Sequence, residues 1–202
     1  MDKNNIKNLT CLAETKFLSL YDAEYENKRG KMKHWIIASR KDYATLKKQY
    51  FEQAEEKTDA VIIVALHKES GALVMIKQFR VPLNDYVYEL PAGLIDFDEA
   101  IEKTVARELK EETGLMLLEI NEKMSMRGAY LSPGMTEESA ALIYCTCKGT
   151  VTDEYLEEDE NIETLLVSKE MAEEILKSGV KIDIKALVIL HSFVKIGEAL
   201  FE

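Results

Sequence analysis

The sequence predicts an α+β fold: a β-sheet sandwiched by a small number of helices. Three observations predict it. Two β-rich runs, AVIIVALH (60–67) and ALVMIKQF (72–79), are separated only by Lys68-Glu69-Ser70-Gly71, a hairpin signal. Between Asp98 and Thr113 the period changes, and Ile101, Val105 and Leu109 recur every fourth residue, which puts one apolar stripe on a helix. Few helical segments separate the strands, which disfavours a doubly wound parallel sheet.

The remaining elements follow in chain order. Residues 14–27 and 32–39 read as two strands around a Lys28-Arg29-Gly30-Lys31 turn, an N-terminal β-hairpin. Residues 40–58 are polar and give no clear period. Tyr86–Leu90 is a short strand running into Pro91. Asp96 and Glu99 have capping-box spacing ahead of the helix, and Gly114 suits its stop. Strands follow near 115–127 and 138–148, then an acidic loop at 150–160 and a strand at 162–168. Helices at 169–178 and 183–200 close the chain.

Acidic residues outnumber basic ones 37 to 26 over 202 residues, for a formal charge of -11. That argues against a surface tracking nucleic-acid phosphates, although bound divalent cations can invert the local sign for small anions. Cys11, Cys145 and Cys147 have no metal-ligand spacing and leave an odd thiol, which points to a reducing, cytoplasmic setting. Cys145 and Cys147 share one strand face and read as buried thiols. No apolar run approaches the ~18 residues of a membrane span, and the polar N-terminus lacks a signal peptide's apolar core.

The chemistry concentrates in residues 93–115, GLIDFDEAIEKTVARELKEETGL. Glu108, Glu111 and Glu112 stand at i, i+3 and i+4, on one helical face. Like charges at that spacing repel, and a divalent cation would remove the repulsion. Oxygen donors suit Mg²⁺ or Mn²⁺ better than zinc. A solvated acidic face is the other reading of the same pattern.

The wider spacing carries more. Gly93, five residues, Glu99, seven residues, then Arg107-Glu108-Leu109, Glu111-Glu112 and Gly114-Leu115 together resemble the Nudix box at every defined position, nine positions over 23 residues. The resemblance covers roughly residues 58–200. It implies a Nudix-type α/β/α sandwich with a mixed sheet, and hydrolysis of a nucleoside diphosphate linked to another moiety. By the same resemblance, Glu108, Glu111, Glu112 and the Ala92 carbonyl hold two to three Mg²⁺ or Mn²⁺ ions. Glu108 and Glu112 are the primary ligands and Glu111 a further ligand or a base; Glu111 and Glu112 are also catalytic candidates, while Glu99 and Arg107 brace loop and helix. Gly93 is expected to permit a tight strand-to-loop turn.

Glu89-Leu90-Pro91-Ala92-Gly93 and Tyr130-Leu131-Ser132-Pro133-Gly134 resemble the ADP-ribose pyrophosphatase branch, which implies ADP-ribose as substrate. Hydrolases of other nucleoside diphosphate sugars, such as GDP-mannose, share these elements, and Nudix-like domains also serve as non-catalytic regulatory modules. The resemblance assigns Arg80 to the substrate diphosphate and Glu138 to the ribose. It also assigns Glu160, on a closing loop, to the role of general base, with Glu157 and Glu158 as alternatives in the same acidic run. Residues 1–57 are then a strand extension that pairs a homodimer and forms a nucleobase pocket, with Trp35, Tyr21 and Tyr25 as stacking candidates. Residues 58–202 form the hydrolase domain. The implied partner is a small nucleoside diphosphate sugar, with no nucleic acid and no membrane.

Overall fold

The computed structural model describes residues 6–158 and 160–202. It divides into two compact units. The first runs to Asp59 and takes in Ala129–Ala140; the second comprises Ala60–Gly128 and Ala141–Glu202.

The first unit carries a three-stranded antiparallel sheet of β1 (Ile6–Glu14), β2 (Ser19–Glu26) and β3 (Met32–Ser39). The expected hairpin is therefore one strand short. The expected strand at 14–27 is also cut at its start, because the Thr15 hydroxyl donates to the Leu18 carbonyl at 2.6 Å and accepts its N–H at 3.0 Å. That local turn reverses the chain between β1 and β2. The uncertain stretch after β3 holds α1 (Tyr43–Phe51), whose start is capped by Asp42 accepting from the Thr45 N–H at 2.7 Å. Leu46 is the one buried residue of α1, and it packs with Leu9, Tyr21 and Ala23. A single apolar anchor in nine residues leaves no stripe for sequence periodicity to reveal.

The second unit is built on a larger, mixed sheet. Its strands are β4 (Ala60–His67), β5 (Ala72–Arg80), β6 (Asp85–Glu89), β7 (Ala92–Leu94), β8 (Met116–Ile120), β9 (Met126–Tyr130), β10 (Ser139–Lys148) and β11 (Ile162–Val167). The central order is β11-β5-β4-β10-β8, with β6 on β5, β7 on β4 and β9 on β10. The predicted β4–β5 hairpin is present, paired at Leu66↔Leu73 and His67↔Ala72. All eight residues of β4 are buried, so the sheet is covered on both faces there.

Helix α2 (Ile101–Thr113) covers one face, with Val105 and Leu109 in a core that includes Val61, Ile63, Val74, Ile143, Cys145 and Cys147. The two thiols are buried on the same side, as their spacing predicts. Helices α3 (Lys169–Lys177) and α4 (Ile184–Ile196) pack on each other, with α3 against β11 and α4 against β6. The last predicted helix ends four residues early, at Gly197, and continues as a 3₁₀ turn. No helix among the described residues is long and apolar enough to cross a membrane.

Both ends of α2 matter to the site. Gly114 is its C-cap at φ 75°, a left-handed conformation suited to glycine, and its N–H donates to the Lys110 carbonyl at 2.8 Å. The expected capping box at the other end is absent. The N-cap is Ala100, with no side-chain hydrogen bond, because the Glu99 carboxylate is engaged elsewhere.

Candidate active site

The buried face of α2 carries two rows. Val105 and Leu109 fill the core, and Thr104, Glu108 and Glu112 run beside them, also buried. Glu108 is 9% exposed and Glu112 only 4%. Two carboxylates on successive turns are thus withdrawn from water, which costs several kcal/mol per ion unless opposite charge compensates. Burial pushes the Glu108 carboxyl above its usual range, against the opposing pull of Arg107. Burial pushes Glu112 well above it; the Ala92 N–H, which donates to its Oε2 at 3.0 Å, pulls the other way, and Glu108 and Glu160 add to the rise.

Arg107 is the hub on the solvent side of this face. Its Nε and Nη2 bind Glu99 at 3.2 and 2.9 Å, and Nη2 also donates to the Leu94 carbonyl at 3.1 Å. Its Nη1 reaches Glu108 at 2.7 Å and Glu111 at 2.9 Å. One guanidinium therefore ties the β7 loop, the lead-in to α2 and two box glutamates together. The Arg107 guanidinium and the Thr104 hydroxyl hold the Glu99 carboxyl down at about 2, against the opposing effect of burial.

This depression has a direct consequence. An ionised Glu99 favours the folded state fully above its ordinary value of 4.5, and the contribution fades as pH falls toward about 2. In thermal melts, Glu99→Gln should therefore lie below wild type at neutral pH. The gap should narrow steadily between pH 4.5 and 2; a gap constant across that window would contradict the assignment.

Gly93 does not make the tight turn expected of it. It sits inside β7, paired with Val61, and its φ is not in the left-handed region. Its lack of a side chain serves another purpose: a Cβ there would stand 1.9 Å from the Glu108 carboxylate. The backbone of β7 is a cradle into which Glu108 folds.

Arg80 ends β5, and Glu89 ends β6 on the neighbouring strand. Arg80 Nε and Nη2 bind Glu89 Oε1 and Oε2 at 2.7 and 2.8 Å. That fork raises the Arg80 pKa, opposed by burial and helped by Glu89, Glu112 and Asp183 nearby. Glu160 is half-buried and close enough to Glu108 and Glu112 to raise both, whereas Glu157 and Glu158 are exposed. Its loop is docked on α2, with the Thr152 N–H on the Thr113 carbonyl at 3.2 Å and the Lys110 ammonium 4.5 Å from the Tyr155 ring centroid. A cavity of about 340 Å³ lies between loop and helix, lined by Glu112, Thr152, Asp153, Leu156, Ile162 and Thr164.

The second unit thus brings together Arg80, Ala92, Gly93, Glu99, Arg107, Glu108, Glu111, Glu112 and Glu160. Trp35 and Glu138 belong to the first unit. Trp35 is 51% exposed, and its Nε1 donates to the Gly134 carbonyl at 3.1 Å, at a cavity of about 230 Å³ shared with Ile37, Tyr50, Tyr130 and Met135. Glu138 accepts from Arg40 Nε at 2.8 Å. Tyr21 is fully buried, with its hydroxyl on the Lys41 carbonyl, so its ring is not available for stacking.

Among the described residues no three acidic, histidine or cysteine side chains converge on one point, because Arg107 draws Glu108 and Glu111 toward itself. The donor chemistry still fits a hard dication. Every donor is a carboxylate or carbonyl oxygen, two of the carboxylates are desolvated, and the Gly93 cradle keeps one of them against β7. Two contacts carry no signal in the sequence: the Glu89 fork on Arg80, between strands whose pairing sets Asp85 opposite Arg80, and the Thr164 hydroxyl bound to the Glu112 carbonyl at 2.9 Å.

Comparison with known proteins agrees with this geometry. The Nudix-domain family description matches residues 56–186, more than half of the chain. A Caenorhabditis elegans protein named as a nudix hydrolase is 36% identical over 122 residues, 57% of this chain and 54% of its own length. The Bacillus subtilis ADP-ribose pyrophosphatase is 32% identical over 142 residues, covering 70% of this chain and 74% of that protein. The chain thus spans about half of the first relative and three quarters of the second. A crystal structure of an ADP compounds hydrolase superposes with a TM-score of 0.72 over 96% of both chains at 16% identity, a likeness of fold. With its box intact from Gly93 to Leu115 and its acidic row folded against β7, this chain belongs to the Nudix family.

Proposed function

We propose that this chain hydrolyses the pyrophosphate bond of ADP-ribose, giving AMP and ribose 5-phosphate, with Mg²⁺ as cofactor. The observation that carries the reading is the buried pair Glu108 and Glu112, flanked by a cationic Arg80 and a half-buried Glu160. The similarity to ADP-ribose pyrophosphatases supports the substrate class.

Glu108, Glu111, Glu112 and the Ala92 carbonyl are the groups that would hold the dications, two to three in number. When bound, such ions neutralise the diphosphate and lower the pKa of a nearby water. Arg80 binds phosphoryl oxygens through charge-assisted hydrogen bonds. Glu160 takes the proton as water attacks phosphorus; its burial beside the acidic row favours it over Glu157 and Glu158. The Ala92 N–H fixes the Glu112 carboxylate, and Glu99 with Arg107 fixes the loop leading into α2. Glu138 and Trp35 are assigned to the ribose and the nucleobase. Exposed Leu12, Phe17, Leu18, Leu20 and Ile36 on the first unit support pairing with a second copy as a homodimer.

Release of phosphate-containing product should be measured on ADP-ribose, GDP-mannose, UDP-glucose and NADH, with Mg²⁺ and then with chelator. The expected result is ADP-ribose turnover that chelation abolishes. Preference for GDP-mannose would move the chain to another nucleotide sugar. Saturable ADP-ribose binding without turnover would make it a regulatory module.

A further inference from the structure

We infer that Glu89 is a positioning residue for the substrate diphosphate, acting through Arg80. The inference rests on the reading of Arg80 as a phosphate contact.

A guanidinium has five N–H donors on two usable edges. Glu89 occupies the side edge, taking Nε and Nη2 in a two-point fork at 2.7 and 2.8 Å. The end edge, Nη1 with the second Nη2 proton, has no hydrogen bond among the described residues. That edge has the spacing to grip two phosphoryl oxygens at once. The two partners differ in their freedom. The Arg80 side chain is 44% exposed, whereas that of Glu89 is 13% exposed and set by the backbone pair Ile76↔Glu89. The mostly buried partner thus orients the more exposed one.

The surroundings explain why orientation is needed. Glu112 and Asp183 also attract Arg80. Without Glu89 the guanidinium would be drawn toward Glu112, cancelling a carboxylate assigned to the dication and withdrawing the charge assigned to phosphate. Glu89 holds Arg80 apart from the acidic row. It stands two residues before Pro91 and three before Ala92, whose N–H fixes Glu112, so one short segment sets both the cationic and the anionic groups.

Steady-state kinetics on ADP-ribose with Mg²⁺ should compare wild type, Glu89→Ala, Glu89→Gln, Arg80→Ala and the Glu89→Ala/Arg80→Ala double variant, with Tm recorded for each. Loss of Glu89 should raise KM about tenfold with a much smaller change in kcat. Glu89→Gln keeps an acceptor oxygen and should recover part of the loss. In the Arg80→Ala background, removing Glu89 should change KM less than about twofold, since the two act as one unit. Independent, multiplying effects would overturn the inference, as would a KM that follows Tm instead of Arg80. Wild-type KM in Arg80→Ala would remove the premise and the inference with it. If wild type turns over none of the panel substrates, the proposed function fails separately, and the same five proteins are compared by affinity for inorganic pyrophosphate with Mg²⁺.

Discussion

Glu112→Gln is expected to lower turnover of ADP-ribose by about 10²–10⁴-fold while leaving the fold intact. The substitution keeps shape and keeps an oxygen for the Ala92 N–H, which now donates to Oε2 at 3.0 Å. It removes a charge from a side chain only 4% exposed, where Glu108 and Glu160 repel it and the Ala92 N–H and Arg80 attract it. Without metal, the variant should melt at or slightly above the wild-type temperature, because a buried carboxylate whose burial outweighs its partners is gone. With Mg²⁺ the order should reverse. A ligand that binds only the folded state raises Tm in proportion to its occupancy, and the variant has lost a ligand. Two readings therefore test one assignment: turnover at saturating substrate, and the Mg²⁺-induced shift in Tm. Wild-type turnover together with a wild-type shift would remove Glu112 from the metal set.

How much of this was legible in the sequence depends on the range of each interaction. The α2 stripe was legible because Ile101, Val105 and Leu109 repeat at the helical period, and so was its Gly114 stop. The β4–β5 hairpin was legible because two apolar runs flank a four-residue turn. Helix α1 was not, since it is held by Leu46 and a cap at Asp42 and has no apolar stripe. The break between β1 and β2 is a turn closed by the Thr15 hydroxyl and by the Thr15 N–H on the Leu18 carbonyl at 3.1 Å, and nothing marks Thr15 in the sequence as different from any other threonine. The Asp96–Glu99 spacing suggested a capping box, but a guanidinium eight residues on binds Glu99 more strongly than backbone N–H groups do.

The same distinction divides the site. Spacing along α2 placed three glutamates on one face, yet burial separates them: Glu108 and Glu112 are buried, while the Glu111 side chain is 40% exposed and tied to Arg107. That separation depends on where β7 crosses the helix, which is tertiary information. The Glu89 fork on Arg80 joins groups four register places apart, with Asp85 opposite Arg80 and Ile76 opposite Glu89, so neither strand's own pattern announces it. Helix phase can be read from one segment, but register between two strands needs both and the turn that joins them.

Gly93→Ala should separate activity from stability by a steric route, with no change of charge. Alanine is compatible with the backbone at this position, because Gly93 lies in a strand outside the left-handed region. What the methyl group meets is the end of a flexible side chain, with the Glu108 carboxylate 1.9 Å from the new Cβ and no backbone atom among its three nearest neighbours. Real Cβ contacts almost never fall below 3.0 Å, so the carboxylate must retreat by roughly 1 Å. Retreat is cheap for folding and expensive for chemistry. A group assigned to a dication loses about 10²-fold in rate when misplaced by that distance, while Tm should move by no more than a few degrees. The cause is checked in a Glu108→Ala background. With the displaced carboxylate already gone, Gly93→Ala should have almost no further effect on turnover, because the two changes share one target. If the losses multiply instead, the methyl group is blocking something other than Glu108, and the cradle formed by β7 is not what holds the acidic row in place.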